Sequence, residues 1–432
     1  MTYIAAVYAA TAALQKGFGF LLFLWFARTL PVAEYASFGL LYALQAGLSS
    51  LAVAGIVEAV IGGMKEHGTP ELRARLFCGA NAIFLRLAAV ATVIIAAVYW
   101  GFPRETARSP LDFICVVSCG VLTAFFAMQA YLVRLEENHL ASLTLNFLAP
   151  FTGLIGGSLG FLAFRTVTSF YAGLAVGLGL SAGILRLRRI GHFGVSHDPE
   201  AIRPILSQLA PFIAIGLLTW LAGYGNTYLV GLFFPAGDVA KFAFLYTVAA
   251  VMELVATALN QVWSPRFFRM VNDRPLAEVE ARNRRVFALQ GLAMGLTGSG
   301  MLVLLPPAIR FAGGNLATYG DMNLELLLLV AAYAFSIPYW HAQNYFYFFK
   351  RGGDLMRVTV YSSAAGLLLW FGAVWIFGAR GIYIGFMARM VARSLLAVSL
   401  GRRHWPIGFR WEGPVLAVVL ILGGFALASF GL

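Results

Sequence analysis

A few polar side chains interrupt long apolar runs, and their types set the chemistry open to this chain. Lys16 falls about midway along the first run, on a face otherwise made of Ala5, Ala9, Ala12 and Gly19. Arg86 is as deep in the third run, and Arg389 and Arg393 lie in the twelfth. Lysine offers a mobile point charge and arginine a two-pronged donor, a pairing suited to a phosphate anion. Glu253 is the one charge on the stripe Tyr246, Ala250, Glu253, Thr257, Asn260, Ser264, whose spacing by fours and threes keeps to one helical face. Glu253 with Asn260 suits a proton or Na+. Trp340 and Asn344, set among Tyr333, Ser336, Gln343 and Tyr347, offer aromatic faces and amides that suit sugar rings, and Trp220 is a further aromatic candidate.

Each reading has a plainer alternative. A charge at mid-bilayer costs about 2.5–3.5 kcal/mol, so it faces either a wet cavity or a partner. Lys16 either lines a cavity or packs in a tight small-residue contact. Arg86 either holds an anion or pairs with Glu58 or Glu253. The stripe on the eighth run is also what helix-packing polar residues look like, and aromatic belts produce stretches like that around Trp340. Arg393 is close enough to its helix end to snorkel. His341 is the kind of lone intramembrane histidine that marks some acyltransferases. Cys115 and Cys119 share a helical face without a His or acid beside them, so they and Cys78 read as inert buried thiols. No nucleotide-binding Gly-Lys loop and no metal cluster is written in the chain, so no cofactor is expected.

The elements that carry these residues follow from composition. The chain has 432 residues, 60% hydrophobic and 12% charged, and its mean hydropathy is +0.80. That excludes a soluble globule, whose surface needs more charge. Continuous rather than alternating apolar runs exclude an outer-membrane barrel. Thirteen runs are long enough to cross about 30 Å of hydrocarbon: 4–28, 36–63, 76–101, 113–133, 140–164, 168–185, 205–234, 239–264, 286–311, 323–349, 358–377, 380–400 and 413–431. The first lacks a basic start and reads as a retained span rather than a signal peptide. With the N-terminus in the cytoplasm, the inner links hold 20 Lys and Arg and the outer links six, a bias that fixes this orientation. The net charge of +12 is mostly that signal, so nucleic-acid binding is not implied. The link 265–285 is long enough for an amphipathic helix lying on the membrane, with Pro275 in its first turn.

The segment Leu30-Pro31 to Tyr42 returns 204 residues later as Phe234-Pro235 to Tyr246, with five of thirteen pairs identical and Glu34 in register with Asp238. Two like halves of six spans are therefore expected, related by an axis along the membrane normal. The fold class is all-α: a polytopic membrane protein with one six-helix lobe over 1–190, a second over 203–401, and an extra helix over 412–432. At the repeat offset Lys16 aligns with Trp220 and Glu253 with Ser49, so one lobe offers cations and the other a carboxylate.

Against this architecture, Lys16-Gly17, then Phe26-Ala27-Arg28-Thr29-Leu30-Pro31-Val32-Ala33-Glu34-Tyr35-Ala36-Ser37-Phe38 and Gly55, resembles the opening of the polysaccharide transporter family. These are the Wzx-type flippases of lipid-linked oligosaccharides, in the multidrug/oligosaccharidyl-lipid/polysaccharide (MOP) superfamily. Asn260, Pro265 and Phe268 at the end of the eighth span are also similar to that family. Leu30 and Ala36 stand where the family's first outer turn usually carries glycine, and the thirteenth span departs from a plain twelve-span member. The resemblance implies two lobes forming a V around a central cavity and moving by alternating access.

The function expected is transport, not enzymatic chemistry: a flippase moving an undecaprenyl-pyrophosphate-linked oligosaccharide across a bacterial inner membrane. Lys16, Arg86 and Arg389 would take the pyrophosphate, and Trp220, Trp340 and Asn344 the sugars. Glu253 and Asn260 would couple H+ or Na+. Expected partners are the lipid-linked oligosaccharide, membrane lipids and other polysaccharide-assembly proteins. One rival is an ion-coupled multidrug exporter, against which the cationic Lys16 and Arg86 argue. The other is a membrane-embedded glycan polymerase or acyltransferase, against which the repeat and the short outer links argue.

Overall fold

The computed structural model describes residues 17–57, 59–60, 70–101, 109–136, 138–349, 351–404 and 411–430. Among these the chain is helical throughout, with no strand. The helices are α1 (Gly17–Thr29), α2 (Val32–Val53), α3 (Pro70–Gly101), α4 (Pro110–Leu135), α5 (His139–Phe164), α6 (Val167–Leu187), α7 (Pro199–Leu221) and α8 (Asn226–Phe233). They continue with α9 (Ala236–Asp273), α10 (Leu276–Ala312), α11 (Asn323–Phe335), α12 (Ile337–Phe348), α13 (Gly352–Phe377), α14 (Gly381–Arg402) and α15 (Glu412–Ser429). Ten stretches of the described chain are long and apolar enough to cross a membrane, the α13–α14 hairpin being one of them, or 11 if the pair α7–α8, bent by 44°, is one span. The protein is a multi-pass membrane protein.

Helix starts follow the sequence. Ser109, Thr166 and Asp198 each cap the following helix through the side chain, and Pro110 and Pro199 occupy first-turn positions where a missing N–H costs nothing. The two copies of the repeated segment hold the same structural place. Pro31 precedes the first residue of α2, and Pro235, after the extended Phe234, precedes the first residue of α9.

One expectation fails. The link 265–285 does not form a separate surface helix: α9 runs to Asp273, and α10 begins at Leu276 with Pro275 as its cap. The amphipathic pattern is real, because Phe267, Met270 and Val279 are buried while Arg266 and Arg269 are exposed. It belongs to two spans that continue past the apolar layer. At about 1.5 Å per residue, the 38 residues of α9 extend well beyond a bilayer core.

Glycine governs the closest contacts. In the α5–α6 hairpin, a Cβ added at Gly156, Gly160 or Gly173 would strike the facing backbone carbonyl. The sequence Gly153, Gly156, Gly157, Gly160 thus lets two backbones touch, as small residues do in membranes. In the α13–α14 hairpin, Gly381 and Gly385 accept Ala373 and Trp370. Gly291, Gly295 and Gly298 of α10 meet Gly413, Ala417 and Ile421 in ascending order, so α15 runs parallel to α10. The bidentate pair of Glu412 with Arg284, at 2.8 and 3.1 Å, ties the starting end of that contact.

By contacts the chain divides into two compact units, Met1–Leu21 with Ala33–Ala236, and Leu22–Val32 with Gly237–Leu432. The break after Ala236 is a division by packing, distinct from the division by repeat. The reason is that α7 and α8 are anchored inside the first unit. Trp220 donates its indole N–H to Ala43 O at 2.7 Å, and Tyr228 donates to Leu40 O at 3.0 Å. Ile202, Ile205 and Leu209 also join a core with Leu76, Phe77 and Met128.

Candidate functional site

In the second unit the polar stripe of α9 meets α10, α12 and α14. Asn344 donates to Asn260 Oδ1 at 2.9 Å and accepts from the Ser264 hydroxyl at 2.6 Å. Two residues expected to do different jobs, Asn260 for ions and Asn344 for sugars, are therefore hydrogen-bonded to each other. One turn along, Trp263 donates to Asn283 Oδ1 at 2.9 Å, which fixes that atom as an acceptor. His341 Nδ1 approaches the same oxygen at 2.8 Å, and its Nε2 lies 2.8 Å from Gln290 Oε1. Both ring nitrogens are engaged in a buried network, and neither is available as a catalytic base.

Arg389, on α14, is only 5% exposed. Its side chain leaves the helix against Gly366 of α13, where no larger residue fits. It lies in electrostatic range of Tyr246 and Glu253 on α9, Tyr333 on α11, and Arg393 one turn on. The Arg393 guanidinium sits 3.5 Å from the centre of the Tyr339 ring, and its Nε is buried without a hydrogen-bond partner. Arg393 is thus held by a cation–π contact inside the unit. The sequence signal was the four-residue spacing from Arg389, discounted because of its nearness to the helix end. Glu253 is exposed on its helix and forms no ion pair among the described residues.

The remaining candidates fall elsewhere. Lys16 and Glu58 lie outside the described residues. Trp220 is buried in the first unit against Gly47, its N–H taken by Ala43, so it serves the attachment of α7 to α2. Trp340 is half-buried and packs on the cluster around Trp263, Phe267 and Tyr345. Arg86 is exposed in the first unit, 3.5 Å from His197 Nδ1. Two buried residues that the sequence reading passed over, Asn81 and Gln129, hydrogen-bond at 2.8 Å; their only sequence signal is polarity inside an apolar run. Cys78, Cys115 and Cys119 are free thiols. Among the described residues no group of three metal-ligating side chains occurs.

The arrangement in the second unit offers a buried Arg389 with a half-buried Arg393 one turn on, one exposed carboxylate and an amide cluster, all within membrane-spanning helices. A family of polysaccharide biosynthesis proteins matches residues 5–271. The chain belongs to this family. The resemblance in its first sixty residues pointed the same way. No curated protein matches it. Among solved structures, it is similar to an inward-facing multidrug resistance MATE family transporter of the MOP superfamily, with TM-score 0.67, 13% identity, and 90% and 94% of the two chains covered. It is also similar to the lipid II flippase MurJ in an inward closed conformation, with TM-score 0.64, 13% identity and 98% of both chains covered. A third is a MOP superfamily transporter from Pyrococcus furiosus described by the reverse polarity of its binding pocket, with TM-score 0.55, 13% identity, and 92% and 95% covered. At these identities the likeness is one of fold. The family match thus places the chain among polysaccharide biosynthesis proteins, and the solved structures give it their fold.

Proposed function

We propose that the protein moves a pyrophosphate-linked oligosaccharide on an undecaprenyl carrier from the cytoplasmic to the outer leaflet of a bacterial inner membrane, by alternating access. The observation that carries this reading is the Arg389–Arg393 pair inside a transmembrane hairpin. Two guanidinium groups one turn apart at membrane depth favour an anionic ligand, and the headgroup of such a lipid is a diphosphate. Arg389 takes the diphosphate. Trp340, half-buried, is the aromatic that faces the proximal sugar. Glu253, with Asn260 two turns on, binds the coupling H+ or Na+. A drug cation would call for the opposite charge at Arg389, and the exporter reading is served by likeness of fold alone. The Lys/Arg bias supports a cytoplasmic N-terminus. The reading is tested by reconstituting the protein in vesicles and comparing transbilayer movement of a pyrophosphate-linked oligosaccharide with uptake of an amphipathic cation. Movement of the first alone is the expected result, and movement of the second alone refutes it.

A further inference from the structure

The stretch joining the sixth span to the seventh has only to cover distance, yet residues 190–198 are held down along their length. Asn81 donates to the carbonyls of His192 and Gly194, both at 2.7 Å. Gln129 accepts from the His192 N–H at 2.7 Å, and the Ser196 N–H donates to Cys78 O at 3.1 Å. The His192 ring meets Glu136 at 2.9 Å. These bonds fix His197 against Arg86 and start α7 beside it. The result is a cavity of about 520 Å³ lined by Arg86, His197, Pro199, Ile202, Arg203, Leu206 and Ser207.

Two guanidinium groups and an imidazole converge there, with no carboxylate in the lining. Asp198, next in sequence, turns its Oδ1 to the N–H of Glu200 as the helix cap. From this cationic end each helix carries an exposed apolar track: Val90 and Val93 beyond Arg86 on α3, Leu206 and Leu217 beyond Arg203 on α7. Steps of three, four and seven residues keep the first track on one face for about 10 Å. From Arg86 to the end of α3 at Gly101 is about 22 Å, which leaves Arg86 roughly 8 Å from the nearer edge of a 30 Å core. A guanidinium reaches headgroup phosphates from that depth. The lining holds no Trp, Tyr or Phe and no side-chain amide, so it lacks the aromatic platforms and amides that suit a sugar.

We propose that the groove between α3 and α7 binds an anionic phospholipid, separately from the transported solute. Its phosphate lies on Arg86 and Arg203, with His197 and Ser207 as further donors. Its acyl chains lie along Val90–Val93 and Leu206–Leu217. The experiment uses the full-length protein in detergent, stripped of lipid, with added phosphatidylglycerol or phosphatidylcholine followed by native mass spectrometry. Phosphatidylglycerol is expected to stay bound and zwitterionic phosphatidylcholine to dissociate. The double variant Arg86→Gln, Arg203→Gln should weaken phosphatidylglycerol binding by about thirty-fold, while Arg86→Lys, Arg203→Lys should keep most of it. The exposed Arg203→Gln alone carries the test if the double variant misfolds. Binding unchanged in the glutamine variants overturns the site. Displacement of phosphatidylglycerol by undecaprenyl pyrophosphate, one for one and dependent on Arg86, overturns the phospholipid assignment in favour of the solute. Displacement by millimolar inorganic phosphate overturns it in favour of a simple anion site.

Discussion

Replacing Arg389 by glutamine removes the charge on which the proposed headgroup recognition rests. At 5% exposure the guanidinium works with little competing water. With its root packed on Gly366, it loses little freedom when a ligand arrives. Two charge-assisted bonds to a diphosphate are worth about 1.5–3 kcal/mol each. Stripping water from the phosphate offsets part of that, which leaves roughly 3 kcal/mol, or about two decades in affinity. Arg389→Lys keeps the charge and loses the two-pronged geometry, so a loss of about ten-fold is expected. The assay is initial flipping rate in vesicles against the concentration of a short-chain fluorescent lipid pyrophosphoryl oligosaccharide, with incorporation and thermal unfolding as controls. KM should rise in the order native, lysine, glutamine. A glutamine variant with native incorporation and native KM refutes the reasoning. A fall in maximal rate at constant KM would refute it too, because it would place Arg389 in the conformational step rather than in binding.

Glu253→Gln should leave KM for the lipid within about two-fold and flatten the dependence of rate on the H+ or Na+ gradient; an unaltered gradient dependence counts against the coupling role. Asn344→Leu strands the Ser264 hydroxyl and the Asn260 carbonyl in a largely buried place, at about 2–3 kcal/mol. A melting temperature lower by several degrees is expected, and no change would show that water replaces the amide. Arg274→Cys gives up only an exposed pair with Glu278, which is worth little. In intact cells an impermeant thiol reagent should leave this cysteine unlabelled, whereas labelling would reverse the proposed orientation.

The spans were legible because twenty-odd consecutive apolar residues admit one structure in a membrane. The short links 165–167 and 235–238, the places in the sequence where spans are easiest to miscount, do break the chain: Thr166 caps α6 and Pro235 follows the extended Phe234. The link 265–285 misled because an amphipathic helix lying on a membrane and one standing out of it carry the same periodicity. Only Phe267 and Val279 finding a core distinguishes them. The polar residues were legible as types but not as partners. Nothing local says that Asn344 reaches Asn260, 84 residues away, or that Trp220 spends its N–H on Ala43 rather than facing a ligand. Arg203 was read as topology alone, because its nearness to Arg86 depends on how Asn81 and Gln129 fasten the loop between them.

The parallel contact of α15 with α10 bears on how the protein is made. The stripe Gly291, Gly295, Gly298 has no side chains of its own to cover the backbone. Val330 of α11 covers Gly298, but Gly413, Ala417 and Ile421 leave the ribosome only after α11 to α14 have been synthesised. During that interval the stripe meets lipid, a neighbouring helix or an insertion factor. The intervening helices have to insert without closing over it. Maturation of the second unit is therefore a late event, coupled to the arrival of Glu412 at Arg284 rather than to the completion of the repeated half.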